Sequence, residues 1–188
     1  MIDMNKFERT SMLVSLVERL REKDSWAGET HLQKATYLLA RVLGVPVDFE
    51  FILYKHGPFS FDLRNEMGAL RADGFFEWEV KSERYGPSLK PGPLSAVLKR
   101  QFPEAPVKYN SEIEFVACHV GNKNVAELER LATAIYVTID ERWAPELRAI
   151  RINELKRHVS LPEAETAVAE ADLIISEARA QFDRATTA

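Results

Sequence analysis

The chain of 188 residues is long enough for one substantial core, and its 46% hydrophobic and 29% charged residues exclude wholesale disorder. A formal net charge of −4 excludes any global attraction to phosphate backbones or anionic membranes, so a nucleic-acid contact would have to be local. The acidity lies towards the C-terminus, with 16 basic against 15 acidic residues through residue 108 and 9 against 14 beyond it.

The lone Cys118 excludes an internal disulfide and a thiolate metal cluster, and favours a reducing compartment. No apolar run approaches the roughly 20 residues that cross a bilayer. The start, Met1 to Glu8, lacks the apolar stretch of a secretory signal. A cytoplasmic location is expected, with no membrane partner.

From Phe7 to Lys23 the residues Leu13, Leu16, Val17 and Leu20 recur at helical spacing. After the break at Asp24 to Gly28, a second helix is expected to start at Thr30, whose hydroxyl and Gln33 form a capping box. Its stripe is Leu32, Ala35, Leu39, Val42 and Leu43, and Gly44 with Pro46 stops it. The aromatic and β-branched run Phe49 to Tyr54 reads as a buried strand. His56-Gly57-Pro58 turns the chain, and Ser60 caps a third helix through Ala72 with Leu63, Met67 and Leu70 facing inward.

Phe76, Trp78 and Val80 alternate with Glu77, Glu79 and Lys81, the period of a half-buried strand. Ser82-Glu83-Arg84 suits a hairpin tip, with Tyr85 to Lys90 returning as an edge strand on account of Pro87. The prolines at 91, 93, 103 and 106 mark a connector with one short helix around Leu94 to Gln101, and Ile113 to Val120 suits a further short strand. Beyond it the chain reads as helical. Asn124 with Glu127 and Ser160 with Glu163 form capping boxes. A short amphipathic helix lies between Pro145 and His158, and the last helix aligns Ala164, Val168, Ala171, Ile175, Ala178 and Phe182.

The expected fold is therefore α+β, mainly α, with a winged-helix-like N-terminal unit of helices, one buried strand and a β-hairpin. Residues 1–92 form that unit, 93–120 a Pro-rich connector, and 121–188 a helical extension that packs on it or on a second subunit.

Chemistry is sparse. His31, His56, His119 and His158 are scattered without metal-ligand spacing, and no phosphate loop, nucleophile elbow or zincin motif occurs. Cys118 and His119, adjacent in a strand, would point to opposite faces, and a free Cys is usually core packing. No catalytic residue, metal or cofactor is assigned, and an enzyme centred on His56 or Cys118 is the third-ranked reading.

In the turn Tyr54-Lys55-His56-Gly57-Pro58-Phe59-Ser60, Gly57 supplies a conformation closed to other residues and Pro58 fixes the entry to the third helix. The preferred reading is architectural. The functional one makes Lys55, His56 and Phe59, with the amides at the start of the third helix, a partner-binding spot. An alternative is a dimeric winged-helix DNA-binding regulator using Arg64, Asn65 and Arg71 of the third helix with Lys81 and Arg84 of the hairpin. Asp62, Glu66 and Asp73 on the same helix oppose phosphate contact, so DNA is not the favoured partner.

Leu32-Gln33-Lys34 with Tyr37-Leu38-Leu39, the 54–60 turn with Leu63, and Gly74-Phe75-Phe76 together resemble the YwgA-like bacterial proteins. More distantly they look like the SocA-type antitoxin, or Panacea, domain. The likeness covers about residues 30 to 90, and Val125 to Ala134 and Leu155 to His158 also look like later YwgA-like segments. The Panacea resemblance implies a protein-binding role, typically neutralising a toxin or delivering it to a protease, and brings over no catalytic residue. The sequence thus favours a non-catalytic bacterial protein-interaction module, antitoxin-like, regulatory or defence-associated, with another protein or a second copy of the chain as partner.

Overall fold

In a computed structural model that describes residues 4–82 and 86–182, the chain is α+β and mainly α. The elements in order are α1 (Lys6–Glu22), α2 (Glu29–Arg41), β1 (Ile52–Tyr54), β2 (Gly57–Phe59), α3 (Phe61–Ala72), β3 (Phe76–Glu79) and β4 (Ser88–Pro91). There follow α4 (Ser95–Gln101), α5 (Glu104–Lys108), α6 (Asn110–Val120), α7 (Val125–Ile139), a 3-10 turn (Pro145–Leu147), α8 (Arg148–Leu155) and α9 (Leu161–Phe182).

Asn5 opens α1 by accepting from the amides of Phe7 and Glu8, and the Glu8 carboxylate accepts from the Asn5 amide. This closes the reciprocal cap that a first turn needs. α2 is the central rod, with every side chain from His31 to Leu39 buried, and α1, α3, α6, α7 and β2 surround it. Tyr37 is fully enclosed, edge-on to Phe51, with its hydroxyl donating to Asp140. Burial and that carboxylate push its pKa far above the ordinary phenol value. α7 carries buried residues around most of its circumference because α2 and β2 lie on one side and α8 and α9 on another. The alanines of α9 at 164, 167, 171 and 178 are buried, which lets its backbone approach α7 and α8 closely. One buried apolar cluster runs from Met12 to Ala178, so the C-terminal helices pack on the N-terminal unit within the same chain.

Several expectations are corrected. α2 begins at Glu29, and Gly28 gives it no side-chain cap; Thr30 and Gln33 do not form a box there, because Gln33 is buried and turned to Ser60. Phe49 and Phe51 are buried as predicted but lie outside any strand, and β1 is a three-residue strand with exposed ends. It pairs with β2, Tyr54 opposite Gly57, so 52–59 is a hairpin of its own and not a strand entering a turn. β3 and β4 form the second two-stranded sheet, separate from the first. β3 ends before the exposed Val80, the return begins at Ser88, and Glu83, Arg84 and Tyr85 lie outside the described residues.

Ile113 to Val120 is helix, not strand. Its aromatic and β-branched content suits a sheet, but Ile113, Val116, Ala117 and Val120 share one buried face at helical spacing. The proline connector holds a second short helix, α5, besides α4. Asn124–Glu127 caps α7 as expected. Ser60 caps α3 through the amide of Leu63, and Gly74 follows that helix at φ +77. No helix among the described residues is long and apolar enough to cross a membrane.

Candidate functional site

The β1–β2 hairpin closes through Lys55 and His56, and the left-handed backbone conformation falls on Gly57, at φ +85. A Cβ on Gly57 would sit 3.2 Å from Thr133 Oγ1 and 3.4 Å from the carbonyl of Glu129, so the hairpin lies flat on α7. Both constraints act together in Gly57→Ala, which is expected to lose about 2 kcal/mol of stability in urea titration.

Three side chains from two distant segments fasten the hairpin by its backbone. Lys34 of α2 donates from Nζ to the carbonyl of Pro58 at 2.9 Å. Gln33 pairs with Ser60 in both directions, Nε2 donating to its carbonyl at 2.8 Å and Oε1 accepting from its amide at 2.9 Å. The amide at the start of α3 is therefore taken, and is not the open anion seat that the turn suggested. Lys156, just after α8, donates to the carbonyls of Tyr54, at 2.9 Å, and Lys55.

Lys34 and Lys156 are 2% and 6% exposed, and two buried ammonium groups are costly unless compensated. The compensating charge is Glu129 on α7, itself 6% exposed. Its Oε2 lies 3.1 Å from His56 Nδ1, and its Oε1 lies 3.3 Å from Lys156 Nζ and 3.4 Å from His158 Nε2. The two Oε1 contacts are ion-pair distances without hydrogen-bond alignment. Burial alone would raise the Glu129 pKa, but the His56 hydrogen bond and the Lys156 charge outweigh it, leaving the carboxyl below its usual range. Lys34 moves down to about 8, chiefly through burial and further through Lys156, with Glu129 and Glu29 opposing.

The sign of the Lys34 effect follows from proton counting. Between pH 8 and 10.5 the unfolded chain holds this proton while the folded chain has released it, so the Lys34 contribution makes stability rise with pH across that window. Wild type should gain on the order of 3 kcal/mol over Lys34→Met between those limits, read from urea midpoints at successive pH values.

Outside the clamp the hairpin displays an aromatic patch. Tyr54 is 50% and Phe61 44% exposed, and Phe59 is half-buried between them. The rings touch pairwise, with centroids 5.1 to 5.7 Å apart. Exposed Ile52 adds aliphatic surface, and Lys55, His56, Arg157 and His158 supply exposed basic groups nearby. Of the residues expected at this surface, Lys55, His56 and Phe59 all belong to the hairpin. Tyr54 and Phe61 complete the patch, and Lys34, Glu129 and Lys156 hold it; these five were missed as site residues. Of the three that hold it, Lys34 alone stands out in the sequence, as the one charged residue between Leu32 and Leu39, whereas Glu129 lies beside Arg130 and Lys156 beside Arg157.

The nucleic-acid candidates are more dispersed. Arg64 and Asn65 are exposed on α3, with Arg64 3.9 Å from Glu29. Arg71 lies over the Trp78 ring at 4.6 Å, and Lys81 lies 3.6 Å from Glu79 and over Trp26 at 5.8 Å. Arg84 lies outside the described residues. Cys118 is exposed on α6, 3.4 Å from Glu114, which corrects the reading of a strand residue packed in the core. His119 lies on the same helix and meets the carbonyl of Phe115 and the carboxylate of Glu177. No group of three or more His, Cys, Asp or Glu among the described residues is arranged to hold a metal ion. No protein-family model matches this chain, and no curated protein matches it either.

Proposed function

We propose that the chain is a non-catalytic protein-interaction module that grips its partner through the 52–61 hairpin. The observation that carries this reading is three mutually touching aromatic rings, two of them about half exposed, on a hairpin whose backbone is fixed by Gln33, Lys34 and Lys156. Aromatic anchors held rigid before binding lose little conformational freedom on association, and such residues dominate measured interface energies. The resemblance of the 30–90 region to YwgA-like and Panacea proteins supports a bacterial antitoxin-like, regulatory or defence setting, with a winged-helix-like N-terminal unit as the scaffold.

Co-purification from the native host tests it with two folded variants, Lys55→Ala/His56→Ala and Tyr54→Ala/Phe61→Ala. A specific partner retained by wild type and lost by the aromatic variant is the expected result. Equal recovery with all three chains would remove the hairpin from the interface.

The shared exposure of Arg64, Asn65 and Arg71 on α3 supports the second reading, a dimeric DNA-binding regulator. Binding that weakens steeply with salt and falls further in Arg64→Ala and Arg71→Ala would favour it. Negligible binding at low salt would end it.

A further inference from the structure

Charge gathers around the aromatic patch. Lys55 closes the hairpin and is exposed. Arg157, also exposed, stands in the chain between Lys156, whose Nζ reaches the carbonyls of Tyr54 and Lys55, and His158, whose Nε2 lies 3.4 Å from Glu129 Oε1. Two segments far apart in sequence thus bring a lysine and an arginine to the turn of the hairpin.

Beneath them the charge is unbalanced. Lys34 and Lys156 are two buried ammonium groups served by one buried carboxylate, Glu129. Burial lowers the Lys34 pKa only to about 8, so at pH 7 it keeps most of its charge. Neighbouring acids are engaged elsewhere: Glu29 lies 3.9 Å from Arg64, while Glu163 accepts from Ser160 and lies 3.4 Å from Arg130. Asp62, beside Phe61, is exposed, with exposed Arg64 on the same turn of α3. Lys34, Lys156, Lys55 and Arg157 against Glu129 leave a local positive excess on a chain whose net charge is −4. Buried charge is weakly screened by salt, so that excess acts on whatever seats above it.

The rings disfavour a nucleic acid as the complementary anion. Their planes are inclined to one another by 42° to 75°, which packs them into one apolar knob and not into parallel shelves for successive bases. Exposed Ile52 extends the knob with aliphatic surface. We propose that the partner engages the hairpin through an acidic protein segment, an apolar side chain flanked by aspartates or glutamates. The apolar group seats on Tyr54, Phe59 and Phe61, and the carboxylates meet Lys55 and Arg157. This rests on the reading of the hairpin as the partner-binding surface and adds the chemistry of what is bound.

A random peptide library displayed on phage, panned against the full chain, tests it. Peptides enriched on wild type and lost with Tyr54→Ala/Phe61→Ala should carry aspartate or glutamate beside an apolar residue, and their binding should weaken as salt is added. Lys55→Glu/Arg157→Glu, which alters neither Gln33, Lys34, Glu129 nor Lys156, should bind them about tenfold more weakly and should itself enrich peptides rich in lysine and arginine. Thermal midpoints check that the variants fold; if the reversal disturbs folding, Lys55→Gln/Arg157→Gln carries the same test with a loss of about fivefold. Enriched peptides that need the rings but lack acidic residues, or that bind the charge-altered chain equally, would overturn the acidic partner and leave the hairpin as the interface. No enrichment, or acidic peptides that bind the aromatic variant equally, would overturn the proposal together with the hairpin reading. An oligothymidylate that binds more tightly than any enriched peptide, and is lost in the same variants, would assign the surface to single-stranded nucleic acid and overturn the proposal.

Discussion

Glu129→Gln is expected to lower the folding stability by about 3–5 kcal/mol, the range for a buried ion pair that loses one partner. The substitution keeps the shape and removes the charge. It leaves Lys156 in a buried site 3.3 Å from a neutral amide, and Lys34 without the charge that most favours its ammonium form. Urea denaturation at pH 7 measures the loss. Because the cost arises from the stranded cation, adding Lys156→Met to Glu129→Gln should return part of the stability, and a double-mutant cycle reports the coupling. The pH dependence has the same sense as that of Lys34, stability rising with pH, but it lies in the acid range. Glu129 has a depressed folded pKa, so its contribution is fully present above the ordinary carboxylate value of 4.5 and is lost as pH falls through the lower folded value. That acid-side loss should be smaller in Glu129→Gln. A variant within 1 kcal/mol of wild type would mean that the hairpin is held by its carbonyl hydrogen bonds alone.

The second large effect belongs to the surface. Tyr54→Ala and Phe61→Ala should each weaken the partner complex by about 2 kcal/mol, roughly thirtyfold in Kd. Both rings are about half exposed and brace each other at 5.4 Å, so truncating one also loosens its neighbour. Their losses should therefore not add in the double variant. Lys55→Ala should cost less, about 1 kcal/mol or below, because an exposed ammonium contributes chiefly to the association rate. None of the three substitutions touches the clamp side chains, so stability should move far less than in Glu129→Gln. Calorimetry or interferometry with the purified partner checks the order of effects, and a Lys55→Ala loss exceeding that of Tyr54→Ala would reverse the assignment of anchor and rim.

The helices were legible where local chemistry decides them. Asn124 with Glu127 and Ser60 before Leu63 are capping patterns that act over three residues, and both form as the sequence suggests. The strands were less legible because burial and strand pairing are different things. Phe49 and Phe51 are buried by tertiary contacts without a ladder, whereas exposed Ile52 and Tyr54 pair with β2. Ile113 to Val120 misled in the opposite way, since strand-favouring side chains were overridden by a face that buries once per helical turn. At the site, Lys55, His56 and Phe59 could be picked out because they adjoin Gly57-Pro58 in the sequence. The clamp could not. Lys156 reaches Tyr54 across 102 residues, and Glu129 meets His56 across 73, so only the packing of α7 on β2 and the reach of Lys156 from beyond α8 bring these charges together. Phe61 was hidden for a related reason, because helical phase places it outside α3's buried face while the hairpin fold brings it to Phe59 and Tyr54.

The most direct measurement is site-specific photo-crosslinking in cells with a benzoylphenylalanine at position 61 and, in parallel, at position 173, where Leu173 is exposed on α9 far along the chain from the hairpin. The account predicts one discrete protein adduct from position 61, absent from position 173, and abolished when Tyr54→Ala is added to a chain that remains folded. The same adduct from both positions, or none from position 61, would contradict the hairpin as the partner-binding surface.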